Sequence, residues 1–256
     1  MSPDAAYFLP DGDRFVPTEL TRGPWSRLHQ HGGPPAALLA RAMELRAPEL
    51  RLARMTVDYL RPVPIAPLAV KAEVLRAGRK VERMTATLVQ GDEIVAHAVG
   101  VLVRSKPVDI AVRPAVAPPE SPEASHPFRF SFFGEPVTYD TSVELRIARG
   151  VWGTGDVFAW MRPRVPLIAG HATSPMQRVL LVADSASGVS AIDLPRYTAI
   201  NPDLTVYLHR QPEGEWIGLD SMTVHQPAGI GLADTALSDI HGPIGRALQS
   251  LVVESR

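Results

Sequence analysis

The stretch from residue 107 to 127, PVDIAVRPAVAPPESPEASHP, constrains this chain more than any other. Prolines recur through it and no apolar period survives, so it reads as an extended linker laid over the surface. It separates residues 1–106 from residues 128–256, and two segments of similar size call for a search for an internal repeat. Both segments carry the same order of signals. In the first, GGPPAALLARAMELRA reads as a helix. Pro34 and Pro35 suit a first turn, where the missing proline N–H would have no partner in any case. Leu38, Leu39, Ala42 and Leu45 then recur at helical spacing. A strand ARMTVDYLRPV follows, then a hairpin LAVKAEVLRAGRKVERMTATLVQ turning at Ala77-Gly78, and after Gly91-Asp92 a strand IVAHAVGVLVRS. Val70, Ala72 and Val74 alternate with Lys71 and Glu73, the period of a half-buried strand.

The second segment repeats the order. SPMQRVLLVADSASG reads as a helix with Ser174 as N-cap and Pro175 in the first turn. The strands NPDLTVYLHRQP, EWIGLDSMTVHQP, LADTALSDI and IGRALQSLVVES follow, with turns at PAGIG and His241-Gly242. Thr56-Val57 matches Thr205-Val206, Arg61 falls opposite Arg210, Ile94 opposite Ile244 and Val99 opposite Gln249. Strand-like VELRIARG and VFAWMRPRVP precede the second helix. The expected fold class is α+β, two tandem repeats, each a long helix wrapped by an antiparallel sheet.

Charge and composition exclude several partners. A formal net charge of -1, with arginines scattered singly, gives no basic face for nucleic acid. The absence of cysteine removes disulfides, a thiolate nucleophile and cysteine-ligated metal, and fits a cytoplasmic protein. The N-terminus MSPDAAYFLPDGDRF lacks the basic-then-apolar order of a signal peptide, and no run reaches the roughly 20 apolar residues of a membrane span. The eight histidines are dispersed, so no metal site is expected. The serine-hydrolase elbow G-x-S-x-G and the glycine-rich phosphate loops are absent, and no cofactor is implied.

The ordered motifs HGGPPAALLARAM, MTVDYLRPV and EVLRAGRKVERMTATLVQGDEIVAHAVGVLV resemble the N-terminal hotdog of the acyl-CoA thioesterase II-like family. The helix ending LVADS, the strand NPDLTVYLHR and the final ALQSLVVES resemble its C-terminal hotdog. The resemblance covers most of the chain outside the linker and implies a double hotdog that hydrolyses acyl-CoA without a cofactor. It also implies that an aspartate, a threonine or serine, and a glutamine hold the attacking water. Those positions fall on Asp184, Asn201 and Gln249, and Asn201 departs from the hydroxyl residue by offering an amide.

Read on their own chemistry, these residues keep two readings open. Asp184 follows the apolar run Val179–Ala183 and is either a surface helix-end acid or a base in a site; the helix dipole disfavours an acid there, so it asks for a reason. Gln249 shares a strand face with Gly245, Ala247 and Leu251 and is either a core amide satisfied by backbone or part of the site. Asn201 before Pro202 is either a turn starter or a water ligand. His31-Gly32-Gly33 before the first helix is either a tight helix start or an oxyanion cradle of free N–H groups at a positive dipole end. Besides the thioesterase, an acyl-thioester-binding protein without turnover and an enoyl-thioester hydratase using His31 with Glu44 remain open, although Glu44 falls on what reads as a solvated face. Further pairing of the double unit into a homo-oligomer is expected.

Overall fold

Alternating burial along the strands builds one large antiparallel sheet, seen in a computed structural model that describes residues 5–111, 118 and 120–256. The expected linker lies partly outside the described residues. Its C-terminal part lies against the sheet, where Arg146 donates to the Pro122 carbonyl and Trp160 to that of Glu120.

In chain order, β1 (Phe8–Asp11) and β2 (Arg14–Pro17) lead to α1 (Gly33–Arg46), β3 (Arg51–Tyr59), β4 (Leu68–Arg76), β5 (Val81–Gln90) and β6 (Glu93–Val103). Then come β7 (His126–Phe128), α2 (Tyr139–Ser142), β8 (Val143–Gly150), β9 (Asp156–Pro163), α3 (Pro175–Ala183) and α4 (Ala186–Val189). The chain finishes with β10 (Tyr197–Ile200), β11 (Asp203–Leu208), β12 (Ile217–His225), β13 (Ile230–Asp239) and β14 (Gly242–Ser255). Across the sheet the order is β1-β2-β4-β5-β6-β3-β11-β14-β13-β12-β9-β8-β7, with β10 beside β14. Outward from the β3–β11 seam, β3-β6-β5-β4-β2-β1 and β11-β14-β13-β12-β9-β8 follow the same chain order, and the second side carries β7 and β10 in addition. Thr56 faces Thr205 across the seam, and the Thr205 hydroxyl donates to Thr56 Oγ1 at 3.0 Å.

Both main helices pack against strands of the sheet and on each other, and their apolar residues share one core. Gly33 to Ala40 of α1 are all buried, as expected of a helix apolar on every side. One core joins both halves, and the N-terminal strand ties them further: Tyr7 and Phe8 donate their amides to the carbonyls of Pro166 and Leu167. No helix among the described residues is long and apolar enough to cross a membrane.

Three expectations need correction. The second helix is not one long element. It ends at Ala183, turns through Asp184 and Ser185, and restarts as the four-residue α4. The alignment of Val99 with Gln249 is also off by one. Val99 pairs with Thr56 and Leu248 pairs with Thr205, so one step on, Gly100 takes the place that Gln249 takes in the other half. Alternation at the start of β14 slips as well. Ile244 is buried along with Ala247 and Gln249, because the register shifts between Leu237 and Ser238 on the facing strand.

Candidate active site

The site forms where the C-terminal end of α3 meets the start of α1. The close approach depends on two glycines. A Cβ on Gly33 would collide with the Leu181 carbonyl oxygen of α3, and one on Gly32 would lie 2.6 Å from the Tyr59 hydroxyl and 2.7 Å from Asp184 Oδ2. Asp184 is the C-cap of α3 and only 6% exposed. Its Oδ1 accepts from Asn201 Nδ2 at 2.8 Å and lies 3.3 Å from the Tyr59 hydroxyl, and its Oδ2 lies 3.3 Å from His31 Nδ1. Asn201 is itself held in place: its Nδ2 also donates to the Asp203 carbonyl at 3.2 Å, and the next residue, Pro202, accepts the Tyr59 amide at 2.8 Å.

His31 lies flat on Tyr139, with ring centroids 3.8 Å apart and planes within 2°. Burial holds its pKa below the ordinary value, against the pull of the Asp184 charge, so the ring is neutral at pH 7 and carries one proton. Nδ1 therefore serves one of two neighbours. Bare, it accepts the Gly33 amide at 3.1 Å; protonated, it donates to Asp184 Oδ2. Burial, followed by the Asp184 charge, lifts the Tyr59 phenol well above its ordinary range, so it stays a donor. Its oxygen lies nearer the Gly32 carbonyl oxygen, at 2.9 Å, than Asp184 Oδ1, at 3.3 Å.

Asp184, Asn201, His31, Gly32 and Tyr59 line one cavity of about 690 Å³. The opposite walls are apolar: Trp25, Phe130, Phe132 and Phe133 on one side, Ala191, Ile192 and Leu194 on another. Apolar lining with a few convergent polar groups is the usual character of a small-molecule site.

Gln249 does not line this cavity. Its side chain is fully buried behind it, with Nε2 donating to the Asp184 carbonyl at 3.1 Å and Oε1 accepting the Ser187 amide at 3.1 Å. It therefore staples the break between α3 and α4. Gly33 lies at the helix crossing, and its amide is taken by His31 in one tautomer. The helix start is poorer in donors than the sequence suggests, because Pro34 and Pro35 have no N–H. The Gly32 amide is the one at this turn without a protein acceptor among the described residues. Tyr59 was missed in the sequence reading. It closes a strand that reads simply as alternating, and only the return of the chain at Asn201-Pro202 puts its hydroxyl into the site.

Comparison with known proteins gives the family and the fold. Residues 21–103 match the family described as the acyl-CoA thioesterase N-terminal domain, and residues 112–253 match the acyl-CoA thioesterase C-terminal domain. Among solved structures, a candidate thioesterase II from Thermobifida fusca is similar at 17% identity and a TM-score of 0.77, covering 99% of this chain and 97% of that one. A conserved hot dog-fold protein of unknown function from Alicyclobacillus acidocaldarius is 20% identical, with a TM-score of 0.72 over 99% and 97% of the two chains. Acyl-CoA thioesterase II TesB2 from Mycobacterium marinum is 15% identical, with a TM-score of 0.68 over 96% and 93%. At these identities the likeness establishes the hotdog fold. No protein of curated function matches.

Proposed function

The chain belongs to the acyl-CoA thioesterase family, and on that premise we propose that it hydrolyses acyl-CoA to a free acid and CoA with a water activated at Asp184. The observation that carries this reading is a buried carboxylate in the wall of an apolar cavity, aligned by an amide donor, with the Gly32 N–H of the same wall unclaimed among the described residues. We also read the two halves as copies of one hotdog repeat, in residues 1–106 and 128–256 around the linker 107–127, of which the second supplies the base.

In this mechanism the thioester carbonyl points its oxygen at the Gly32 amide, where the start of α1 adds its dipole. Asp184 takes a proton from water as the water oxygen attacks the carbonyl carbon. The tetrahedral oxyanion collapses, the C–S bond breaks, and the proton returns to the leaving sulfur. Asn201 fixes the Asp184 carboxylate through Oδ1 and leaves its own carbonyl oxygen to accept from the water. His31, Gly32 and Gly33 shape the substrate side. Gln249 is a positioning residue that fixes the helix break from which Asp184 projects.

The test is CoA release from short, medium and long acyl-CoAs by wild type and Asp184→Ala. Release that falls about 100-fold or more supports the reading, that being the scale of a lost general base. Release untouched by the substitution removes Asp184 from the mechanism. Binding without release by the wild type points to the non-catalytic acyl-thioester-binding alternative. The hydratase alternative loses ground on geometry: Glu44 lies late in α1, bonded to Ser174 and Gln177 of α3 instead of facing His31.

A further inference from the structure

We infer that one pole of the N-terminal half is a peripheral docking surface for an anionic lipid bilayer, built where exposed aliphatic side chains stand among unpaired cations. Arginines and lysines that stand singly in the sequence are gathered there by the sheet. Arg51 opens β3, Arg76 ends β4, Arg83 lies near the start of β5 and Arg104 follows β6. Strand pairing brings these ends together: Arg51 lies opposite Val103, Val103 opposite Val81, and Arg76 opposite Arg83. The β4–β5 turn adds Arg79 and Lys80. It is tied to the next segment, because the Arg104 amide donates to the Lys80 carbonyl and Arg104 Nε to that of Arg79, both at 2.9 Å. α1 ends at the same pole with Arg46, and Lys106 lies two residues beyond Arg104.

All eight of these residues are exposed, and among the described residues none has a carboxylate within ion-pair distance. Segments 45–51, 75–83 and 103–109 hold them against three acids, Glu49, Glu82 and Asp109, a balance of +5 in a chain whose formal net charge is -1. The C-terminal half neutralises its arginines instead. Arg146 and Arg162 share Glu144, Arg149 lies between Asp156 and Asp220, and Arg210 pairs with Asp239. The turn that matches β4–β5, QPAG between β12 and β13, carries no cation. The unpaired pole costs the fold something, because Arg76 and Arg83 stand directly opposite on adjacent strands, where like charges repel. An anionic partner removes that cost.

Two observations favour a bilayer over another polyanion. Leu45, Leu75 and Val108 are 64%, 60% and 70% exposed among the cations, and Val81 is exposed beside them. Aliphatic side chains gain by leaving water for the acyl boundary of a membrane, whereas a phosphate backbone offers them nothing. The three segments also hold no aromatic residue to stack on bases.

The pole lies away from the candidate active site. Tyr59, in the cavity wall, is at the other end of the nine-residue β3, roughly 26 Å from Arg51 at about 3.3 Å per residue. Docking by the pole leaves the cavity clear and needs no spanning helix. Basic side chains meet the lipid headgroups while the aliphatic ones enter the interface.

The experiment is co-sedimentation of the full chain with vesicles of phosphatidylcholine alone, and of phosphatidylcholine with about one-third phosphatidylglycerol, in about 0.1 M salt. The chain is expected to bind the mixed vesicles and to bind phosphatidylcholine alone at least about 10-fold more weakly. Arg79→Glu with Lys80→Glu should lower the partition coefficient about 25-fold or more, since each basic residue near an anionic surface contributes about 5-fold. The same reversal at Arg196 and Arg256, which are bonded to each other at the far end of β14, should leave it within about 2-fold, because those charges lie beyond a screening length from the lipid. Leu75→Ser with Val108→Ser should lower it at least about 5-fold. All these side chains are exposed, so melting temperatures should stay near that of wild type. Sedimentation with neither vesicle overturns the proposal, and so does equal loss in the two charge-reversal pairs, which would make net charge the cause. Vesicle binding untouched by the serine pair, or displaced by a DNA oligonucleotide at equal phosphate, overturns lipid as the partner and leaves a general polyanion surface.

Discussion

The antiparallel helices α1 and α3 bring an acid near the end of one to the start of the other at two places, and the two places differ. At one, Glu44 of α1 accepts from Ser174 Oγ at 2.8 Å and from Gln177 Nε2 at 2.7 Å, at the N-terminus of α3. Ser174 in turn caps Gln177 N, so the acid closes a network. At the other, Asp184 of α3 meets His31 and Gly32 at the start of α1, and a cavity opens beside it. The strand beneath decides between them. Gly100 leaves room for Met43, whose Sδ would lie 2.5 Å from a Cβ at residue 100, and α1 runs unbroken above it. Gln249 in the matching place sends an amide up to Asp184 and Ser187, and the helix breaks there. A polar strand residue thus turns the end of one helix outward to a cavity while its small counterpart lets the other helix seal.

The sharpest way to break this comparison is to neutralise each acid. Asp184→Asn should lower CoA release about 100-fold or more. Glu44→Gln, outside the cavity, should leave release within about 2-fold while lowering the melting temperature. Equal losses of turnover in both variants would mean that the closed crossing also serves the chemistry.

The next effect is expected at Gln249. Gln249→Leu removes both bonds that hold the helix break and leaves the Asp184 carbonyl and the Ser187 amide without partners, at about 1–3 kcal/mol for each buried group. If Gln249 positions Asp184, kcat should fall about 10-fold with KM little changed. A rise in KM at constant kcat would place Gln249 against the substrate.

At the closed crossing the effect is on stability. Burial pushes the Glu44 carboxyl above its ordinary range, against hydrogen bonds from Gln177 and Ser174 and the charges of Arg51 and Arg41. Glu44→Ala strands the Ser174 and Gln177 donors, and a loss of about 1–3 kcal/mol corresponds to roughly 2–4 °C per kcal/mol in a chain of this size. A melting temperature unchanged by Glu44→Ala would show that the network adds nothing to the fold.

The sequence made one member of this comparison visible and hid the other. Strand periodicity, the proline-marked helix starts and the family resemblance led to Asp184 and Asn201, which the structure brings within 2.8 Å. Local pattern could not place Glu44, because a carboxylate between Arg41 and Arg46 looks solvated until α3 is folded onto it. Val99 was matched to Gln249 because sequence offsets ignore register, and register is set by pairing across the seam. Tyr59 and the aromatic wall at Phe130 and Phe132 come from distant segments whose convergence is a property of the whole sheet. The break after Ala183 was hidden for the same reason: residues 174–188 have helical spacing, and what ends the helix is a strand some 60 residues on, through the 3.1 Å bond from Gln249 to the Asp184 carbonyl.

The smallest expected effect concerns pH and the open crossing alone. His31 is held neutral by burial, with its ring against Tyr139, Asp184 on one side and the Tyr59 phenol nearby. Its folded pKa lies below its ordinary value of about 6.5, so between the two the unfolded chain binds a proton that the folded chain refuses. Stability therefore falls as pH drops through 6.5 toward the folded value, with a slope of at most about 1.4 kcal/mol per pH unit for one group. His31→Asn should flatten the decline in melting temperature between pH 7 and pH 5, whereas Glu44→Gln should leave the His31 share of that decline in place. A steeper decline in His31→Asn than in wild type would reverse the sign, showing that the imidazolium is stabilised by Asp184 more than burial disfavours it. The open crossing would then be an ion pair at acid pH, which holds the Asp184 carboxylate instead of leaving it free to take a proton from water.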